Sequence, residues 1–177
     1  MVQVLDPTTV VGDDVTDPGP EITNLEGVTV GMRVDILWPA YDWIADEWIK
    51  AFEGDGAKVV SWRAAGRAGE EGQQVLKELG EFVAEVDAVV SGLANCGSCT
   101  SWTVHDAVYA ASQDKASVAI ATEQFYDLAK GLASRAGRSG LRVQTLPYPL
   151  HTLPEEQVRS IAKEYYPKLR ETLGVRA

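Results

Sequence analysis

Cysteine occurs twice in this chain, as Cys96 and Cys99 with Gly97-Ser98 between them. A structural disulfide framework spreads its cysteines to close long loops, and this spacing closes almost none. A tetrahedral zinc site needs four ligands, yet the only histidines are His105 and His151 and there is no second Cys-x-x-Cys. No metal is therefore expected, and the thiols read as chemically active in a reducing compartment. An apolar run, Asp87 to Leu93, leads into the pair, and a helical pattern from about Thr100 to Ser112 follows it. A thiol at such a strand-to-helix junction faces unpaired backbone N–H groups and the positive end of the helix dipole, both of which favour the thiolate. The same N–H groups suit a carboxylate, or an oxyanion formed beside the sulfur. Gly97 lets the loop turn tightly and lets a substrate approach the backbone. Ser98 and Thr100 supply hydroxyls, either of which could cap the helix, and Asn95 borders the loop. The plain alternative is two small apolar residues buried side by side.

Other residues could join this chemistry. His105 could stabilise a thiolate as base or imidazolium, although it lies six residues beyond Cys99 and a core or surface histidine explains it as well. Its neighbour Asp106 shares that turn. Glu123, ending a later strand, is a candidate acid or base. Arg63 and Arg67 could hold a substrate carboxylate, or simply belong to a solvated loop. Tyr41 and Trp43 read as pocket lining, and Trp102 as packing.

The elements that must position these residues alternate regularly from residue 28. Strands are expected at Val28–Trp38, interrupted near its start by glycine and methionine, then at Lys58–Trp62, Asp87–Leu93, Ser117–Ala121 and Leu141–Leu146. Between them lie helices. The first, capped by Asp42 after a turn at Pro39, has the stripe Ile44, Trp48, Ile49 and Phe52. The second, Glu70 to about Ala84, turns Val75, Leu76, Leu79, Phe82 and Val83 inward. The helix from Thr122 to about Ala136 uses Phe125, Leu128, Ala129 and Leu132, and Pro154–Leu173 closes the chain. This is an α/β pattern: one Rossmann-like or flavodoxin-like domain of about five parallel strands with helices on both faces, over residues 28–177. Ligands of such sheets bind outside the carboxyl ends of the strands. Those positions are Trp38 to Asp42, Arg63 to Arg67, Asn95 to Ser101, Glu123 to Phe125, and Pro147 to Pro149. Residues 1–27 form an acidic, proline- and glycine-rich segment, either a mobile tail or an arm that clasps another subunit through Val2, Val4, Leu5, Val10 and Val11.

Composition narrows the function classes. The 177 residues are 45% hydrophobic and 24% charged, an ordinary globular balance. A formal charge of −10 opposes nucleic-acid phosphate and anionic membranes. No membrane span or secretory leader is evident, so a cytoplasmic location is expected. Neither Gly-x-Gly-x-x-Gly nor a phosphate-binding loop follows the first strand, and no cofactor is expected.

The segment SGLANCGSCTSWTVHDA, followed by ATEQF and LRVQTLPYPL, resembles the UGSC-motif (seleno)protein family over roughly residues 29 to 175. That family is named for a selenocysteine-Gly-Ser-Cys sequence, with cysteine first in some members. The resemblance places Cys96 at the selenocysteine position and Cys99 at its partner. A more distant similarity is to the selenoprotein B subunit of glycine reductase, where U-G-T-C-T follows an apolar strand and selenium attacks an activated carbon. This chain uses cysteine and shows no pyruvoyl-forming segment. A position that hosts selenium is a reaction centre. The leading expectation is a cysteine-dependent enzyme on a small polar metabolite, with a carboxylate as one expected feature. Cys96 would be its nucleophile and Cys99 the resolving or assisting thiol, with Asn95, Gly97, Ser98, Thr100, Tyr41 and Arg63 binding substrate. Reductase, lyase and sulfur-transfer chemistry all fit. The alternatives are a thioredoxin-like oxidoreductase acting on proteins, with Pro147 or Pro149 near the sulfurs, and a non-catalytic sulfur-carrying subunit. A homo- or hetero-oligomer through the N-terminal arm is the expected assembly.

Overall fold

A computed structural model describes residues 14–64, 67 and 69–176. Five strands, β1 (Thr29–Asp35), β2 (Lys58–Ala64), β3 (Ala88–Ala94), β4 (Ala116–Thr122) and β5 (Arg142–Leu146), alternate with helices. The helices are α1 (Pro39–Gly54), α2 (Gly69–Ala84), α3 (Gly97–Ser112), α4 (Tyr126–Arg135) and α5 (Glu155–Leu173). All pairings are parallel and the strand order is β2-β1-β3-β4-β5, the flavodoxin-like arrangement. The mostly apolar β3 and β4 are buried along their whole length, whereas β2, at an edge, is largely open to solvent.

The two faces of the sheet differ. Val30, Met32 and Val34 of β1 meet Ile44, Trp48 and Phe52 of α1, and Val158, Ala162 and Leu169 of α5 complete that core. The Trp48 indole donates to the Ala162 carbonyl at 2.8 Å, tying α1 to α5. On the other face lie α2, α3 and α4. Gly31 has a reason to interrupt β1 there, since a Cβ would come within 2.6 Å of the Phe82 ring from α2.

Several sequence expectations need correction. Pro39 opens α1 instead of making a turn, because its missing N–H costs nothing in a first turn. Asp42 does not cap that helix; it lies in the first turn, and Trp38 occupies the cap position without a side-chain bond. Leu76 and Leu128 stand at the margins of their helical stripes and are exposed. In α4 the buried positions are Ala129 and Ala133, and Glu123–Phe125 form a short 3-10 turn before the helix.

Residues 14–27 pack on their own domain. Val15 exchanges backbone bonds with Gly137 and Gly140, Asp14 accepts from Ser139 N at 2.8 Å, and Ile22 N donates to Leu173 O at 2.8 Å. Leu25 enters the α1/α5 core. The apolar residues Val2 to Val11 proposed to clasp a subunit lie outside the described residues. Among the described residues, no helix is long and apolar enough to cross a membrane, and no group of three or more His, Cys, Asp or Glu could hold a metal ion.

Candidate functional site

The chain leaves β1 toward the α1/α5 face and leaves β3 toward the α2/α3 face, so a crevice opens between the carboxyl ends of these neighbouring strands. The cysteine loop stands at that crevice. Cys96 is the N-cap of α3, with an extended backbone at φ −155°, and its sulfur accepts the Cys99 N–H at 3.1 Å. The sulfur thus takes the place that a serine or aspartate oxygen usually fills. The Asn95 N–H approaches Cys99 Sγ at 3.3 Å. Each sulfur therefore has its own backbone donor, but Cys99 Sγ also lies 3.3 Å from the Cys96 carbonyl oxygen, so the arrangement favours negative charge on Cys96 Sγ.

The two sulfurs are paired, with Cα atoms 5.3 Å apart, inside the range of about 4.4–6.8 Å that disulfides use. Their exposures differ: Cys96 is half-buried, while Cys99 is sealed. Ser98 Oγ, on the exposed side, lies 3.6 Å from Cys96 Sγ. Gly97 is not needed for its turn, since its φ is not positive. It is the first residue of α3, and a Cβ there would meet nothing within 4 Å, so the approach to Cys96 is open. Thr100 is not free to bind substrate. It is buried, and its hydroxyl donates to the Cys96 carbonyl at 2.5 Å, locking the loop to the first turn.

Asn95 is buried and organises a neighbour that the sequence reading missed. Thr122 Oγ1 donates to Asn95 Oδ1 at 2.9 Å, which turns the amide nitrogen toward His151 Nδ1 at 3.2 Å. An amide nitrogen only donates, so Nδ1 accepts and the neutral imidazole carries its proton on Nε2. The His151 ring lies 5.3 Å from that of Trp38 and 5.9 Å from that of Tyr148. A short 3-10 turn, Leu150–Thr152, beginning after Pro149, brings it there. Its sequence signal was its place just beyond the carboxyl end of β5.

Below the crevice a second group was missed altogether. Arg33 of β1 is fully buried, donating from Nε to Asp106 Oδ2 at 2.8 Å and from Nη1 to the Gly92 carbonyl at 2.8 Å. Arg67 pairs with the other oxygen of Asp106. Asp35 lies 3.5 Å from Arg33 Nη1, and burial holds its carboxyl above the usual range despite that neighbour and a 2.7 Å bond from Leu37 N. The signal was available: Arg33 and Asp35 alternate with valines in an otherwise apolar strand, sharing one face. Tyr41 is close by but fully buried, its ring in the notch left by Gly92, where a Cβ would collide with it. Burial pushes its hydroxyl pKa up.

The remaining candidates lie elsewhere. His105 is exposed on a groove between α2 and α3, not beside the sulfurs. Glu123 lines a hollow with Tyr126, Val143, Thr145 and Lys168. Arg63 is 55% exposed and pairs with Asp42 at 2.5 Å on the surface. Trp43 is half-buried against the α1/α5 core, and Trp102 lines the same groove as His105.

A comparison with curated proteins finds no match. The model of the UGSC family, by contrast, matches residues 3–175, nearly the whole chain, and the chain belongs to that family.

Proposed function

We propose that this chain is a cysteine-dependent enzyme for a small polar metabolite, with Cys96 as nucleophile and Cys99 as resolving thiol. The observation that carries this reading is the asymmetry of the pair: one sulfur is reachable, its partner is sealed behind it, and each has a backbone N–H donor. Reductive cleavage uses that asymmetry best. The Cys96 thiolate attacks an electrophilic atom, and the leaving group departs with its electron pair and takes a proton. The Cys99 thiolate then attacks the Cys96 sulfur; the S–S bond forms as the bond to substrate breaks, and the released group takes that electron pair and a proton. The substrate gains two electrons, the pair loses two, and an external dithiol returns them by exchange. His151, oriented by Asn95, would donate a hydrogen bond from Nε2 to the departing group, whose proton comes from solvent. Lyase and sulfur-transfer versions would use the same attack without the disulfide.

A second reading, disulfide exchange with proteins, has its own support. Ile36 and Leu37, just after β1, and Tyr148, just after β5, are exposed apolar side chains at the same end of the sheet as Cys96. That setting suits an extended polypeptide as well as a metabolite.

One experiment separates the readings. The reduced Cys99→Ser protein should accumulate a Cys96 adduct, visible by intact mass, when mixed with candidate electrophilic metabolites. A mixed disulfide with reporter protein disulfides, and no metabolite adduct, would move the assignment to the second reading. Slow and equal alkylation of both cysteines by iodoacetamide at pH 6 would remove both.

A further inference from the structure

Away from the sulfurs, α2 and α3 diverge over the sheet and leave a cavity of about 540 Å³, within the size range of small-molecule sites. Its walls are Leu76 and Leu79 from α2 and Trp102 and Tyr109 from α3. Leu76 lies 57% exposed on that groove. Arg67 and Asp106 form the charged end. Gly72 lets the Arg67 backbone close against α2, since a Cβ there would come within 2.6 Å of the Arg67 carbonyl oxygen.

The hydrogen bonding at that end is incomplete. Arg33 and Arg67 each take one oxygen of Asp106, and Arg33 Nη1 also lies 3.5 Å from Asp35. Arg33 Nη2 and Arg67 Nε, both buried, have no hydrogen-bond partner among the described residues. Buried guanidinium groups with unmade bonds are costly, and an anion is the ligand that relieves them. Arg67, 13% exposed, is the one an incoming group reaches; Arg33, sealed behind Asp106, adds its field.

We infer that the α2/α3 groove binds a monocarboxylate with an apolar or aromatic body, its carboxylate on Arg67 and its body between Leu76, Leu79, Trp102 and Tyr109. The site is distinct from the sulfur pair. Trp102 and Asp106 lie six and ten residues beyond Cys96, about 9 and 15 Å along the axis of α3. The inference does not rest on thiol chemistry, and Cys96→Ser should bind the same ligand.

Calorimetric titration of the whole chain with 3-phenylpropionate, and with the neutral 3-phenylpropionamide of nearly equal shape, tests it. The acid should bind at least about tenfold more tightly than the amide, in wild type and in Cys96→Ser alike. Arg67→Gln should erase that preference. Leu76→Asp, at an exposed position that leaves the fold intact, should weaken the acid by at least about tenfold and decides the matter if Arg67→Gln does not fold. Equal affinity for acid and amide, no saturable heat from the acid, or undiminished binding by Leu76→Asp would each overturn the inference.

Discussion

The seven residues of β1 serve two faces that solve different problems. On the α1/α5 side Val30, Met32 and Val34 enter a continuous apolar core, and the ion pairs of that side, Arg159 with Asp46, Glu47 and Glu155, stay at its rim. On the α2/α3 side the same strand presents Gly31, Arg33 and Asp35. Charges are buried there, and the cysteine helix starts there. Because strand side chains alternate, one short segment can commit one face to stability and the other to chemistry. Substitutions on the two faces should therefore fail in different ways.

The largest difference concerns Cys96. Cys96→Ser should abolish thiol reactivity and turnover, because a serine hydroxyl is almost wholly protonated at neutral pH and is the weaker nucleophile. Its denaturant midpoint should stay near wild type, since the opposite face holds the fold. A variant with normal turnover would sink the sulfur-centred reading. Asp106→Ala comes next. It leaves two guanidinium groups around an empty position, and removing one partner of a buried ion pair costs about 3–5 kcal/mol. Urea denaturation measures this, and a loss below about 1 kcal/mol would show that the charges are better solvated than their burial implies. Gly31→Ala pushes a methyl toward the Phe82 ring and should cost about 1–3 kcal/mol by overpacking. On the other face, Trp48→Phe keeps most of the ring and loses the bond to Ala162 O, for about 1 kcal/mol.

How legible each face was in the sequence follows from the same contrast. Periodicity depends on apolar contrast, so the α1 stripe of Ile44, Trp48 and Phe52 and the buried strands β3 and β4 could be read directly. The cysteine loop was legible because its residue types are rare and close together. Thr100, Arg63, Glu123 and His105 illustrate the limit, for a residue at the right strand end can still turn its side chain elsewhere. The Thr100 hydroxyl is consumed by the Cys96 carbonyl and Arg63 by Asp42, and neither partnership leaves a mark in the sequence. His151 and Asn95 are 56 residues apart, and only the fold brings them together. The Arg33–Asp106–Arg67 cluster joins β1, α3 and the segment between β2 and α2, and its one local trace, two charges alternating in an apolar strand, is easily taken for a surface pattern.

Asp35 gives the smallest effect and the finest test of the buried face. Its carboxyl is raised mainly by desolvation, with the N–H of Leu37 and the charge of Arg33 opposing that rise. The native state therefore binds a proton there at pH values where the unfolded chain, with an ordinary aspartate near 4, has lost it. In that window the folded form holds more protons, so this group's contribution to stability is fully present below about pH 4 and falls as pH rises through the raised native value. Asp35→Asn removes the titration while keeping the shape and an acceptor for Leu37 N–H. The difference in unfolding free energy between wild type and Asp35→Asn should therefore shift against wild type from pH 4 upward and then level off. On the α1/α5 face, Glu47 provides the opposite control. Desolvation is the largest single influence on its carboxyl, yet the hydrogen bonds from Arg159 and Lys50 and the charges of Lys50 and Lys163 together hold it below the usual range, so Glu47→Gln should lose its stability difference from wild type as pH falls through that lowered value. Two carboxyls whose pH dependences run in opposite directions would show that the sheet separates a dry, charge-bearing face from a solvated one. A flat difference for Asp35 would mean that Arg33 neutralises its burial completely.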